Sequence, residues 1–367
     1  MFLLVWDPLT FTVLVLLYAA GFLLLQLLAM RVAPRVAGFI SSRVSLYTAM
    51  LITAGLIVGG GLIAIYAIYS LAASYGYSLP IGFLLAFLIV ANLMSYLLAP
   101  YMINAVYRAK PDPELQRIVD EVASRAGVKP PKAVIVEGPP NAFAYGNFLT
   151  GRYIAVSRSL YEILPRNELE AVVGHEIGHH RHRDVVIIML LGLVPSILYY
   201  MGVWLIRIGL WSGAYRSRRE GNGGLALVAV GALSVLLSFI MQVAVLTFSR
   251  LREYYADAHG AIVAGARPMQ RALARLHLYY QGRRREELEK SSLKALFIYA
   301  LVEAAASPFY SYTGSSWSWR GDIDSIVERL KRMEVNPAEE LFSDHPPIPK
   351  RLRFLDNLEQ ALGKARV

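Results

Sequence analysis

The sequence predicts a mainly α-helical integral membrane protein whose transmembrane helices carry a smaller α+β domain with a small β-sheet. Three observations lead there. Apolar residues make up 56% of the 367 and charged residues only 17%, where soluble chains carry about a quarter charged. Several uncharged runs are long enough to cross a bilayer, which takes about 20 apolar residues. Between them lie two charged segments of globular patterning, the first with both helix and strand signals.

From the N-terminus, the first uncharged run is Leu9 to Met30. It is too long for a signal-peptide core and no basic residue precedes it. Val44 to Tyr107 contains no Asp, Glu, Lys or Arg, which is room for two spans, with a turn over Ser74–Pro80 at Tyr75-Gly76-Tyr77-Ser78. Val185 to Ile206 and Gly221 to Ser249 supply two more. Five spans with the N-terminus outside leave all but four of the 37 Lys and Arg on the cytoplasmic side, as the positive-inside rule requires. The dissenting four lie in Arg207–Arg219. The expected organisation is a membrane region of three spans (1–107), a first soluble part (108–183), a membrane hairpin of two spans (184–249) and a second soluble part (250–367). In a soluble chain a net charge of +10 would suggest a nucleic-acid partner. Here the cytoplasmic bias accounts for it, so the expected surroundings are a lipid bilayer and no nucleic acid. With no cysteine, disulfides, iron–sulfur ligation and thiol chemistry are excluded.

In the first soluble part, Asp112-Pro113-Glu114 opens a helix that Gly127 closes after Ala126. Ala133–Val136 reads as a strand, and Asn141–Phe148 and Tyr153–Ser157 as two more joined around Thr150-Gly151. A further helix runs from Pro165-Arg166-Asn167 to His182, with Asn167 as N-cap and Glu170 closing a capping box. It carries His175-Glu176-Ile177-Gly178-His179. Histidines four apart share a helical face and can hold one zinc ion, with Glu176 beside it to take a proton from water. A catalytic zinc has three protein ligands and one open position. The candidate third ligand is Glu253 in Arg252-Glu253-Tyr254-Tyr255-Ala256-Asp257. Asp257, on the same face, can accept from the second nitrogen of a ligating imidazole. Both ligand helices lie close in sequence to the 184–249 hairpin, whose antiparallel return brings them together at the cytoplasmic surface. His180 is off the zinc face and expected at the surface. His182 is two turns from His175 and could pair only with His179. His259 and His277 are expected to be structural or solvated.

Four blocks in order, Asn141-Ala142-Phe143-Ala144, His175–His179, Arg252–Asp257, and His345-Pro346-Pro347 followed by Arg351, resemble the HtpX-like membrane zinc metalloproteases, relatives of the CAAX prenyl endopeptidases. The resemblance covers roughly residues 110–357. It implies a gluzincin-type protease domain, one Zn²⁺ per chain held by His175, His179 and Glu253, and Glu176 as general base. It implies that Asn141 to Ala144 form an edge strand that pairs with an extended substrate, that His345 donates to the oxyanion, and that Arg351 either binds a substrate carbonyl or pins an acid. The implied substrates are unfolded or damaged membrane proteins, in quality control. A specific processing peptidase of the CAAX kind is one alternative. A membrane transporter or scaffold with a structural zinc is another, and an intact Glu176 speaks against it.

In the second soluble part, Met269–Lys290 reads as an Arg-rich amphipathic helix, at anionic headgroups or in solvent. Ala295–Phe309 is short for a span and reads as a buried helix. Ser307–Gly321 is an aromatic loop without a definite role.

Overall fold

The structure, a computed structural model, describes residues 46–215, 223–283, 322–335, 340 and 345–364. The Leu9–Met30 run, residues 295–321 and the end of the 207–219 loop lie outside the described residues. Four helices are long and apolar enough to cross a membrane. These are α1 (Leu46–Ser74), α2 (Ile81–Val106), α6 (Asp184–Tyr215) and α7 (Gly223–Ala264). The fold is that of a mainly α integral membrane protein with a small mixed sheet.

The described chain divides into two compact units: residues up to Met94 with Val186–Phe248, and Ser95–Val185 with the chain from Ser249 onward. In the first unit, α6 and α7 approach through glycine. A Cβ on Gly202 would lie 2.7 Å from the Gly231 carbonyl oxygen, and one on Gly209 would lie 2.5 Å from that of Gly224. The two contacts step in opposite directions along the helices, so α6 and α7 run antiparallel. Small residues permit such backbone approach where lipid gives no hydrophobic drive. Ser234 Oγ donates to the Leu198 carbonyl across the same interface at 2.7 Å.

In the second unit the chain forms β1 (Lys110–Pro111), α3 (Pro113–Ala126), β2 (Lys132–Val136), β3 (Ala142–Asn147), β4 (Gly151–Ser157), α4 (Arg158–Ile163) and α5 (Arg166–Arg181). Past α7 come α8 (Ala266–Arg283), α9 (Ile323–Arg332) and α10 (Ile348–Lys364). α3 begins as its sequence dictates: Asp112 Oδ1 accepts from the Glu114 and Leu115 N–H groups, and Pro113 opens the first turn. Gly127, left-handed at φ 65°, ends it. Sheet order is β1-β2-β4-β3, with β2 parallel to β4 and the outer pairs antiparallel. One face of the sheet (Ala133, Ile135, Ile154, Val156) packs with α3, α5 and α8 into the main core. The other (Val134, Phe143, Tyr145, Ala155) packs on Ile103 of α2 and on Tyr107 just past its end.

Two local expectations fail. The capping box at Asn167 does not form, because Pro165 occupies the N-cap position and its carbonyl accepts from Glu168 and Leu169 N–H at 3.0 Å. Glu170 instead pairs with Arg125 (2.5 Å) and Arg166 (3.0 Å). The described part of the expected Arg-rich helix, α8, is a packed helix rather than a solvated one. Met269, Leu273 and Leu276 are buried against α5, α9 and α10, while Arg267 and Arg271 pair with Asp324 and Arg275 with Glu168.

Candidate metal centre

α5 and the last turns of α7 cross at small residues. A Cβ on Gly260 would lie 2.7 Å from the Ala171 carbonyl oxygen and 3.1 Å from the His175 nitrogen; one on Gly178 would lie 3.2 Å from Ala256 Cα. His259 Nδ1–H donates to the Gly174 carbonyl at 2.9 Å across the crossing. A crossing this tight brings the histidine face of α5 onto the acidic face of α7.

Three predicted ligands meet there. His175 Nε2 and His179 Nε2 are 3.1 Å apart. They lie 3.6 and 3.3 Å from the two oxygens of Glu253. All three ligand atoms fall within 4.8 Å of one another, and no other such group occurs among the described residues. Tetrahedral zinc with Zn–N bonds of about 2.05 Å separates its donors by about 3.3 Å, so the spacing suits that ion.

The other ring nitrogens decide the chemistry of the pair. His175 Nδ1 lies 3.0 Å from Asp257 Oδ1, and His179 Nδ1 lies 2.5 Å from Asp184 Oδ2. A carboxylate can only accept, so each Nδ1 carries the proton and each Nε2 presents a lone pair. Two lone pairs 3.1 Å apart, with a carboxylate beside them, repel unless a cation lies between. The donor set therefore fits a divalent metal.

Both carboxylates are themselves held. Asp257 is fully buried and receives Arg351 Nε at 2.7 Å and an Nη at 2.5 Å. Arg351 is fully buried too, so the geometry favours the pinning role for it over contact with substrate. Asp184 is paired with Arg252, which also donates to the Asp184 carbonyl at 2.8 Å. His345 Nδ1 sits 3.0 Å from Glu253 Oε2. Glu176 is buried, one residue past the first ligand. Glu253 and Asp257 do not lie on a solvated face beside Arg250 and Arg252; all four are buried.

Ala142 to Ala144 lie in β3, the outermost strand of the sheet, which packs against α5. Ser157 N–H donates to the Asn141 carbonyl, so by antiparallel alternation the main-chain groups of Ala142 and Ala144 point away from β4.

The comparisons with known proteins bear on the family and the fold. The profile of peptidase family M48 matches residues 109–359. The chain belongs to that family. The M48 chain is 50% identical over 359 residues to a protein named protease HtpX homolog from Pyrobaculum calidifontis, covering 96% of this chain and 98% of the relative. It is 45% identical to the protein of the same name from Archaeoglobus fulgidus, covering 98% and 99%. Among solved structures it resembles Ste24p of S. mikatae, with a TM-score of 0.51 and 19% identity over 85% of this chain. It spans 66% of that protein's length, and the likeness shows the fold.

Two features of the M48 chain escaped the sequence reading. Asp184 is five residues past His179, a spacing that faces away on a continuous helix. α5 instead ends at Arg181 with His182 as its C-cap, and Arg183, left-handed at φ 54°, turns the chain back. The readable signal was a lone acid opening a long apolar run. His180 is half-buried rather than free at the surface: its Nε2–H donates to the Tyr153 carbonyl at 2.7 Å, and burial pushes its pKa down to about 4. It ties α5 to β4. His182 stacks edge-on against Tyr255 at 4.5 Å rather than pairing with His179.

Proposed function

We propose that this M48 peptidase is a zinc-dependent endopeptidase of the cell membrane, with its active site on the cytoplasmic face and unfolded or damaged membrane proteins as substrates. The observation that carries the reading is the convergence of His175, His179 and Glu253, with both histidine Nδ1 atoms committed to carboxylates. His175, His179 and Glu253 would hold one zinc. When bound, it supplies Lewis-acid chemistry, polarising a carbonyl and making a water more acidic.

The remaining steps belong to the chain. Glu176 takes a proton from the attacking water as the water oxygen bonds to the scissile carbonyl carbon. It delivers that proton to the nitrogen as the C–N bond breaks, releasing amine and carboxylate. Asp257 and Asp184 fix the tautomers of His175 and His179. Arg351 and Arg252 hold those carboxylates in place. His345, whose Nδ1 lies 3.0 Å from Glu253 Oε2, donates an N–H to the developing oxyanion. The open main-chain groups of Ala142 and Ala144 pair with an extended substrate, and the Asn141 side chain adds a contact. Main-chain pairing accepts many sequences, which suits a quality-control substrate range.

The test is hydrolysis of unfolded casein by the detergent-purified chain. Cleavage that stops on chelation and returns with zinc is expected. Cleavage untouched by exhaustive chelation contradicts the metal dependence, and no cleavage at full zinc loading contradicts the broad specificity.

A further inference from the structure

We infer that the tip of the β3–β4 hairpin, Asn147–Thr150, is inserted in the lipid bilayer beside α2, with Phe148 and Leu149 among the acyl chains and the Arg152 side chain reaching from the base of the hairpin toward the headgroups.

The inference starts from how β3 lies along α2. Phe143 packs on Tyr107 (ring centroids 5.5 Å apart), the Tyr145 hydroxyl donates to Asn104 Oδ1 at 2.5 Å, and Asn147 reaches Tyr96 and Leu97. As the strand advances from Phe143 to Asn147, its partners retreat from Tyr107, just past the end of α2, to Tyr96. The strand covers about 13 Å over those residues, and the helix about 16 Å. β3 therefore runs antiparallel to α2 and carries the hairpin tip back along the apolar helix.

The anchoring contact is built into α2. Pro100 has no N–H, so the Tyr96 carbonyl four residues earlier has lost its helical donor. Asn147 Nδ2 donates to that carbonyl at 3.0 Å and to Leu97 O at 3.1 Å. α2 has 26 residues, about 39 Å, against a hydrocarbon core of about 30 Å. Tyr96 is ten residues from the helix end at Val106, about 15 Å along it. Even with the excess length divided equally between the two ends, Tyr96 lies below the headgroups. Leu98, Tyr101, Met102 and Val106 are exposed on the same stretch, a surface suited to lipid.

The tip suits the same surroundings. Phe148 and Leu149 are 72% and 62% exposed, with the Phe148 ring 6.3 Å from that of Tyr96. A loop enters hydrocarbon at lower cost the more of its polar groups are satisfied internally. Asn147 Oδ1 accepts from the Leu149 and Thr150 N–H groups at 2.9 Å each and from Thr150 Oγ1 at 3.2 Å. Toward the base of the hairpin the chemistry changes to that of a membrane interface: Tyr145 stacks on Tyr153, Arg152 is exposed, and Lys132 Nζ lies against the Tyr153 ring and the Thr150 carbonyl. Aromatic rings with long basic side chains are the residues that settle at headgroup depth. The outermost strand β3 would then end inside the bilayer, within reach of a polypeptide leaving it.

The test uses the natural absence of cysteine. Spin labels are placed on Leu149→Cys, Phe148→Cys and, as an aqueous control at the other end of the sheet, Glu137→Cys, which is exposed. The full chain is reconstituted in phosphatidylcholine–phosphatidylglycerol nanodiscs. Labels at 148 and 149 are expected to gain collisions with oxygen and lose them with a water-soluble nickel chelate, while the label at 137 does the reverse. Labels at 148 and 149 as open to the chelate as that at 137 would overturn the inference. So would labels shielded from both reagents, which would place the tip against protein rather than lipid.

Discussion

Replacing Arg351 by methionine removes the cation from a pair in which both partners are fully buried. Asp257 loses two hydrogen bonds, of 2.7 and 2.5 Å, and becomes a buried carboxylate facing only the His175 imidazole. Breaking a buried pair on one side costs about 3–5 kcal/mol, on the order of 10 °C of melting temperature. Replacing Asp257 by leucine as well removes the stranded charge, and most of the loss should return. The double variant still lacks the acceptor that fixes the His175 tautomer, so its zinc affinity should stay about 10–100-fold low. Thermal unfolding of the metal-free protein in detergent, with zinc affinity by chelator competition, separates the two effects. Arg351→Met melting within about 1 kcal/mol of the parent, or a double variant no more stable than the single one, would refute the reasoning.

Asp184→Asn should lower zinc affinity about 10–100-fold through His179; unchanged affinity in chelator competition would show that Asp184 does not orient that ring. Gly260→Ala gains about 1 kcal/mol of helix propensity but sets a methyl 2.7 Å from the Ala171 carbonyl oxygen, an overpacking cost of about 1–3 kcal/mol. It should destabilise and weaken zinc binding together, whereas Gly192→Ala, with nothing within 4 Å, should do neither. Burial pushes the His277 pKa down to about 4 from 6.5, so the unfolded chain binds a proton between those values that the folded chain refuses. Its contribution, roughly 3 kcal/mol, is complete above pH 6.5 and is lost as pH falls toward 4. His277→Leu should flatten that part of the denaturation profile, and an unchanged slope would count against it.

Local patterns were legible and tertiary ones were not. α3 could be bounded to the residue because Asp112, Pro113 and Gly127 act within one turn of their own helix. The cluster of His175, His179 and Glu253 was legible because each half is an i, i+4 pair, and a rigid helix fixes that geometry. Asp184 was hidden because a left-handed Arg183 breaks the helix on which spacing rules depend. α8 was misplaced because its arginines resemble a polar face until Glu168 and Asp324, distant in sequence, are seen to meet them. The capping box failed on a conflict two residues wide, with Pro165 taking the position Asn167 would need. Gly174, Gly178 and Gly260 carried a signal that was available and unused: small residues four apart mark a close helix crossing, and here the crossing assembles the site.

The most direct measurement of the central claim is casein hydrolysis by Glu176→Ala at verified zinc content. The account predicts one zinc per chain, as in the parent, with turnover reduced at least about a hundredfold, the scale of a lost general base. Parent-like turnover at equal zinc would contradict it, because Glu176 would then have no part in moving the proton.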